Sequence, residues 1–492
     1  MKRPPEGLGP VVALDRRARR PLHRQLYDGY RDAILDGRLR PGSRLPSTRM
    51  LAEELQISRI PVVTAFEQLV AEGYVESRVG AGSFVAAILP AAPRSPRAAS
   101  RSPAHRSTPG RAGPRRVPPM PLAVVDEPWF ALSGPFRIGR PALDQFPAAL
   151  WSRLVSRHAR ALPRQRLAYG DPMGLPGLRE ALAEYLGTVR SVKCTAEQIM
   201  IVSGSQQALA LSCRALAAAG DAAWIEEPGY NGARDAMALA GARIVGVPVD
   251  DEGIDVAAGL ARAPDARLAY VTPSHQYPLG MIMSARRRLQ LLDWARRRGA
   301  WILEDDYDSE YRYDTQPIAS LHGLDGDARV VYVGTFSKIL FPALRVGYLV
   351  IPRDLVARFR RLRDGMDIFP SPLYQAVLDE LIRKGHLARH LHRMRRIYAE
   401  RRRALEAALA AELGGAARVV GDRAGMHLVL LLPRGARDRA LAERAARAGI
   451  SVIPLSSCYA GRPRPGLVLG YGATRLHEIP EAVRRLKALL DR

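Results

Sequence analysis

Apolar positions near the start of the chain recur at helical spacing and predict three short helices. The first helical face begins at Pro21 and ends near Gly37, where a glycine favours a helix stop. Ser47 and Ser58 each precede a further helical pattern, and a serine hydroxyl there can cap the helix by accepting a backbone N–H. Residues 74–85 alternate between apolar and polar, which is typical of a β-hairpin. Two short helices joined by a tight turn, with a hairpin after them, predict a winged helix-turn-helix.

A proline- and arginine-rich stretch follows the hairpin. Residues 87–121 contain seven arginines, nine prolines and no acid. A segment of this composition buries too little apolar surface to order itself, and its prolines favour extended conformations. We therefore predict a linker, which serves either as a solvated spacer or as a basic extension that attracts a polyanion.

Beyond the linker, short apolar runs alternate with helical stretches, which predicts a mostly parallel sheet covered by helices on both faces. The predicted strands are Ile199–Val202, Ala223–Ile225, Ile244–Val249, Leu268–Val271, Trp301–Leu303, Val330–Val333 and Gly347–Val350. A long arginine-rich helix, Leu387–Leu413, then precedes the predicted strands Leu428–Leu432, Ser451–Ile453 and Leu467–Leu469. This second set predicts a smaller α+β domain packed on the large one.

The predicted architecture is multidomain. Its parts are a tail at 1–20, an α+β winged helix at 21–86, a linker at 87–134, a large α/β domain at 135–364 and a small α+β domain at 365–492.

Charge and cysteine usage narrow the class of protein. The net charge of +25 favours a polyanionic partner, although five lysines against sixty-nine arginines show that arginine supplies the general charge. Three cysteines without metal-ligand spacing predict a reducing compartment, no disulfide framework and no metal site. The sequence begins without a signal-peptide core and contains no apolar run long enough for a bilayer. We expect a soluble cytoplasmic protein without a membrane partner.

One lysine lies between two apolar runs in the stretch 330–350. Lys338 must reach water, pair with an anion or lose its proton, and the neutral amine is a nucleophile. Nearby, the hydroxyls of Thr335 and Ser337 and the guanidinium of Arg345 suit a phosphate. An isolated lysine at a strand end would more simply extend its amine to water.

Acidic residues follow the predicted strand Trp301–Leu303. The carboxyl ends of strands are where α/β sheets bind ligands, so the run Glu304–Asp308 is a candidate site. A carboxylate there can keep a pyridine nitrogen protonated, and a lysine imine can hold pyridoxal phosphate. A simple acidic loop that caps the next helix is the alternative.

Taken together, TFSK, Arg345 seven residues after the lysine and the upstream EDDYDSEYRY resemble MocR-type regulators. These regulators fuse a GntR-type DNA-binding domain to a fold-type-I, pyridoxal-phosphate-dependent aminotransferase-like domain. The resemblance implies an imine between Lys338 and the cofactor, with Asp305 at the pyridine nitrogen and Tyr307 at the ring hydroxyl. It implies a homodimer in which Tyr169 reaches the phosphate of the neighbouring subunit. It places Ser205 and Gln206 at the cofactor phosphate, near the phosphate-binding candidates Thr335, Ser337 and Arg345. Tyr230 follows another predicted strand, where it could stack on the pyridine ring or be a half-buried surface tyrosine.

The first three helices resemble the GntR winged helix in the patterns R-L-P-S-x-R, S-R, E-G-Y and G-x-G. The residues that this resemblance assigns to DNA are Arg44, Ser47, Arg49, Ser58, Arg59 and Gly80. They would contact phosphates or bases, open the recognition helix in the major groove and let the wing approach the minor groove. The sequence departs from the pattern at Ile60 and Pro61, where hydroxyl or amide residues are usual. A small helical protein-interaction domain is the alternative, but the clustered arginines favour double-stranded DNA.

Two functions fit these motifs. One is a transcriptional regulator that uses pyridoxal phosphate as a ligand or sensor, with an amino compound as effector. The other is a working aminotransferase with an appended DNA-binding domain. In aminotransferases an arginine of the small domain clamps the substrate carboxylate, but the matching register here offers Val468, and Leu279 replaces a small hydroxyl residue. These departures favour the regulator. A scaffold that binds neither ligand would leave the motif spacings unexplained.

Overall fold

The computed structural model describes residues 12, 14–16, 18, 20–78, 81–87, 133–313, 319–325, 329–414 and 418–491. The chain divides into two units, 1–115 and 116–492. Gly80 and positions 88–132 of the predicted linker lie outside the described residues.

The first unit contains the three predicted helices and the predicted hairpin. Its elements are α1 (Leu22–Leu35), α2 (Thr48–Glu54), α3 (Arg59–Ala71), β1 (Val75–Arg78) and β2 (Gly82–Val85). The two strands pair antiparallel. Ser47 caps α2 as predicted, because its side chain accepts a hydrogen bond from the Met50 N–H. Ser58 occupies the corresponding position before α3, but its side chain makes no capping bond there, so that part of the prediction was wrong.

The core of the first unit forms where α1 and α3 pack together. Tyr30 of α1 meets Phe66 of α3 edge to face, with ring centroids 5.3 Å apart. The side chains of Val62, Ala65 and Leu69 are also buried on α3. Because one turn of helix takes 3.6 residues, the opposite face of α3 is left to solvent.

The second unit is built on a large sheet whose strands are close to those predicted. They are β3 (Ile199–Val202), β4 (Ala222–Glu227), β5 (Arg243–Asp250), β6 (Gly253–Ile254), β7 (Leu268–Val271), β8 (Trp301–Asp306), β9 (Val330–Thr335) and β10 (Gly347–Val350). Their order is β3-β10-β9-β8-β7-β4-β5-β6. The pairs β4–β5, β4–β7, β7–β8 and β8–β9 are parallel. By contrast, β10 is antiparallel to both its neighbours, and the short β6, which the sequence did not predict, is antiparallel to β5.

Helices pack on both faces of this sheet. The helices of this part of the chain are α4 (Ala148–Arg160), α5 (Pro176–Arg190), α6 (Ser205–Leu216), α7 (Asn231–Leu239), α8 (Val256–Arg262), α9 (Ala285–Arg298), α10 (Leu321–Leu324), α11 (Val356–Asp364) and α12 (Pro372–Arg383). Of these, α12 packs on α4 and α5. Neighbouring strand residues enter different clusters: Leu303 packs with residues of α6 and α7, whereas Ile302 packs with residues of α8 and α9. Burial on both faces explains why these strands are almost continuously apolar.

A smaller antiparallel sheet follows the long helix α13 (His386–Leu413). Its strands are β11 (Arg418–Val420), β12 (His427–Leu431), β13 (Ile453–Pro454) and β14 (Gly466–Gly470), in the order β11-β12-β14-β13, with α14 (Asp438–Arg447) and α15 (Ile479–Leu490) nearby in sequence. The sequence did not predict β11, which is short and half-exposed and so lacks an apolar run. Among the described residues, no helix has the length and apolar character needed to cross a membrane.

Candidate functional site

The carboxyl ends of β4, β7, β8 and β9 bring their following loops to one edge of the large sheet, because parallel strands end on the same side. Lys338 lies just after β9, where its Nζ donates a hydrogen bond to the Gly139 carbonyl at 2.9 Å. Burial lowers the pKa of Lys338, while the negative charges of Asp308 and Asp305 oppose that shift. Gly139 has φ +69, a backbone conformation that favours glycine, and a Cβ there would lie 2.7 Å from Nζ. The sequence did not single out Gly139.

Asp305 is the next-to-last residue of β8 and is 5% exposed. One carboxylate oxygen, Oδ2, accepts a hydrogen bond from the Tyr270 hydroxyl at 2.8 Å. The other oxygen, Oδ1, has no hydrogen-bond partner among the described residues. Burial raises the pKa of Asp305 to about 7. A buried carboxyl with one oxygen held and the other free fits a partner that carries a positive charge, such as a pyridinium nitrogen.

Tyr307 points its hydroxyl at a buried polar cluster that the sequence did not group. The hydroxyl donates to the His275 carbonyl at 2.9 Å and lies 3.1 Å from His275 Nδ1. The same Nδ1 lies 3.2 Å from Asp308 Oδ2, and His427 of the small sheet packs its ring 4.8 Å from the His275 ring. Asp308 was visible in the acidic run EDDYD, but its contact with His275 is set by the tertiary structure.

Ser205, Gly204 and Arg345 come together at the start of α6. Gly204 precedes α6 with φ +96, and a Cβ there would lie 3.0 Å from the Arg345 guanidinium. Arg345 also donates to the Ser203 carbonyl at 2.9 Å. Backbone N–H groups at a helix start and a guanidinium beside them form a setting suited to a phosphate. Thr335 is the last residue of β9, and its hydroxyl accepts a hydrogen bond from the Ser337 N–H at 3.1 Å.

Gln206 and Tyr230 lie beside this helix start and contact each other. The Gln206 amide donates to the Gly232 carbonyl at 2.7 Å, and its oxygen lies 3.4 Å from the Tyr230 hydroxyl. The Tyr230 ring meets the Tyr277 ring edge to face at 5.7 Å. Burial raises the pKa of Tyr230 to about 12, so its hydroxyl stays protonated as a hydrogen-bond donor.

Tyr169 is not brought to this site within the chain. Its side chain is 85% exposed. Val468 lies on β14 and packs in an apolar cluster with Val429, Leu431 and Leu455, against which Leu279 also packs.

The first unit presents the arginines that the sequence predicted. Arg44, Arg49 and Arg59 are all exposed. Arg59 Nε donates to the Thr48 hydroxyl at 3.1 Å, which ties the start of α3 to α2. Arg44 lies near the wing, with its guanidinium 3.5 Å from the position of a Cβ at Gly82.

Comparisons with known proteins agree with this two-part organisation. Residues 22–85 match the family described as bacterial regulatory proteins of the gntR family, and residues 139–485 match aminotransferase class I and II. The chain is thus a helix-turn-helix regulator with an aminotransferase-like domain.

Over nearly its full length the chain is similar to regulators. It is 40% identical to the probable rhizopine catabolism regulatory protein MocR of Rhizobium meliloti, over 97% of this chain and 95% of that protein. It is 31% identical to the pyridoxine biosynthesis transcriptional regulator PdxR of Corynebacterium glutamicum, over 91% of each. The chain therefore belongs to the MocR-type transcriptional regulators of the GntR family.

Solved structures match the second unit. The α-aminoadipate aminotransferase LysN of Thermus thermophilus, complexed with N-(5'-phosphopyridoxyl)-L-leucine, is 30% identical with a TM-score of 0.69, and the match covers 74% of this chain and 93% of that one. The kynurenine aminotransferase of Pyrococcus horikoshii is 28% identical with a TM-score of 0.68, over 73% of this chain and 91% of that one. The fold-type-I architecture predicted from the sequence is thereby confirmed.

Proposed function

We propose that this regulator holds pyridoxal phosphate covalently on Lys338 and uses it as a ligand or sensor that controls DNA binding. The observation that supports this most directly is Asp305, whose buried Oδ1 has no partner among the described residues. Its charge acts on the Lys338 amine, so the two groups share one buried environment. When bound, the cofactor supplies an aldehyde that condenses with amines and a ring that withdraws electrons.

The residues around Lys338 favour a neutral amine. Desolvation lowers the pKa of Lys338, which increases the fraction of amine able to act as a nucleophile. The Gly139 carbonyl accepts a hydrogen bond from the Lys338 amine and so fixes the position of its nitrogen. Asp305 would balance the pyridinium charge with its free oxygen, and the Tyr307 hydroxyl would turn from the His275 carbonyl to donate to the ring oxygen.

The phosphate would lie at the start of α6. There the backbone N–H groups of Ser205 and Gln206 lack helical partners, and the Arg345 guanidinium lies beside them. Because the Gln206 amide already donates to Gly232, we assign its backbone rather than its side chain to the phosphate. Thr335 and Ser337 supply hydroxyls, and Tyr230 supplies an aromatic face for the ring.

We propose a homodimer in which Tyr169 completes the site of the partner subunit. An 85% exposed tyrosine makes no contribution to the site of its own chain, which is the situation expected of a residue that acts across an interface. The same proposal includes domain boundaries at 20/21, 86/87, 134/135 and 364/365. It also includes a cytoplasmic location.

In the first unit, we propose that Arg44, Arg49 and Arg59 bind DNA phosphates or bases. The Ser47 hydroxyl caps α2, so its role would be to fix the position of Arg49. The Ser58 side chain makes no capping bond, so its hydroxyl would be available to contact DNA. Gly80 would let the wing approach the minor groove.

The relatives favour regulation over transamination. Those that match this chain over more than 90% of its length are named transcriptional regulators or regulatory proteins. The register that would hold the substrate-clamping arginine has the buried Val468 instead. An amino compound that exchanges with Lys338 would then act as an effector and shift the population between DNA-binding arrangements.

The test combines a visible absorption spectrum of the purified full-length protein with DNA affinity measured during titration with amino compounds. We expect a coloured protein, a spectral change on adding the active amine and a parallel change in affinity. Borohydride reduction followed by peptide mapping should place the modification on Lys338. A preparation that stays colourless with excess pyridoxal phosphate, or a modification elsewhere, would overturn the proposal.

A further inference from the structure

The outward face of α3 begins with an exposed apolar side chain. Ile60, in the first turn, is 75% exposed, whereas Val62, Phe66 and Leu69 of the same helix are buried. With about 100° between successive residues, Ile60 shares the face opposite this core with Thr64 and Glu67. Single exposed apolar residues are common on protein surfaces, so exposure alone identifies no partner.

Two polar groups near Ile60 make hydrogen bonds within the first unit. The Thr64 hydroxyl donates to the Ile60 carbonyl at 3.1 Å, and Arg59 Nε donates to the Thr48 hydroxyl at 3.1 Å. Pro61 has no backbone N–H. The first turn of α3 therefore presents an aliphatic surface in the place where a hydroxyl or amide would otherwise meet a base edge.

The charges around this surface identify its occupant as DNA. Arg59, directly before Ile60, and Arg49, on α2, are exposed, and the only acidic residue on the same face, among the described part of α3, is Glu67 two turns further on. Arginines there favour phosphates on either side of a groove, and in a helix-turn-helix the first residues of the second helix contact base edges.

We propose that Ile60 determines part of the operator sequence by contacting the 5-methyl group of a thymine in the major groove. This inference rests on the proposed DNA binding of the first unit and adds the base that α3 recognises. Thymine is the base whose major-groove edge carries a methyl group, and apolar side chains recognise it by contact. The contact would remove both methyl surfaces from water.

The experiment begins with selection of duplexes from a random library by the full-length protein. Each thymine of the selected duplex is then replaced singly by deoxyuridine, which removes the methyl group and keeps the base pair. For the natural protein we expect one position per half-site where the replacement weakens binding about fourfold, the effect of exposing one methyl-sized group. With Ile60→Ala, binding should be weaker and the same replacement should have no further effect.

Two variants control this measurement. Val70→Ala removes a similarly sized apolar side chain, 39% exposed, from the other end of α3 and should leave the deoxyuridine effect intact. Ile60→Val should retain most of it. A natural protein insensitive to every replacement, or a deoxyuridine effect that persists in Ile60→Ala, would overturn the inference while leaving DNA binding in place. If no duplex is selected at all, the DNA-binding proposal fails, and this inference with it.

Discussion

The two units of this protein use charge in opposite ways. In the winged helix, Arg44, Arg49 and Arg59 lie exposed on the surface. In the aminotransferase-like unit, Asp305 and Asp308 are 5% and 1% exposed. Exposed charges act over the Debye length and are weakened by salt, whereas buried charges act on their immediate neighbours and change the pKa. The first arrangement suits a polyanion, and the second suits a small ligand with its own charge.

The strongest way to separate the two units is Lys338→Ala. We expect complete loss of the covalently bound cofactor and of any response to amines, because no other amine takes the place beside Gly139 among the described residues. Absorption after addition of pyridoxal phosphate measures this directly, with the exposed Lys384→Ala as the matched control. DNA affinity without amines should remain measurable. A Lys338→Ala protein that still responds to amines would contradict this division of roles between the cofactor-binding and DNA-binding units.

The buried carboxyl of Asp305 can be tested through the pH dependence of the protein's stability. The pKa of Asp305, raised to about 7 by burial, lies above its ordinary value. The folded state therefore binds this proton more tightly than the unfolded state, and the resulting stability is present at low pH and lost as pH rises through about 7. Between pH 5 and 7 the cofactor-free natural protein should lose roughly 3 kcal/mol relative to Asp305→Asn, at ~1.4 kcal/mol per pH unit, with little further change above pH 7.

Urea unfolding at several pH values checks this difference, with the exposed Asp251→Asn as control. The slope should depend little on salt, since the carboxyl is buried. Parallel pH profiles for the natural protein and Asp305→Asn would show that Asp305 is not the titrating group.

The DNA-binding role of the exposed arginines is tested by the double variant Arg49→Ala/Arg59→Ala. If each arginine neutralises one phosphate, the slope of log affinity against log salt should fall by ~1.8, which corresponds to about 30-fold weaker binding at physiological salt. Fluorescence anisotropy on a labelled duplex measures both quantities, and Arg38→Ala, an exposed arginine after α1, serves as control. The cofactor spectrum should not change. Unchanged affinity would refute the assignment of these arginines.

The local pattern of apolar residues was enough to predict much of the fold. The apolar runs of β3, β7, β9 and β10 were predicted within two residues of their bounds, because burial on both faces makes a strand continuously apolar. The short strands β6 and β11 were missed, since two or three residues carry no periodicity. The missing capping bond of Ser58 was also not predictable, because a serine before a helix has the same sequence pattern whether or not it bonds.

The sequence by itself determined the residue types and spacings: the lysine of TFSK, the arginine seven positions later, the acids of the run 304–308 and the arginines of the winged helix. Only the tertiary structure decided their partners. Lys338 meets Gly139, 199 positions away, and Asp305 meets Tyr270, 35 positions away. The physical reason is that chain propensity acts over a few residues, whereas the buried contacts that hold these groups depend on how distant strands and loops pack at the sheet edge.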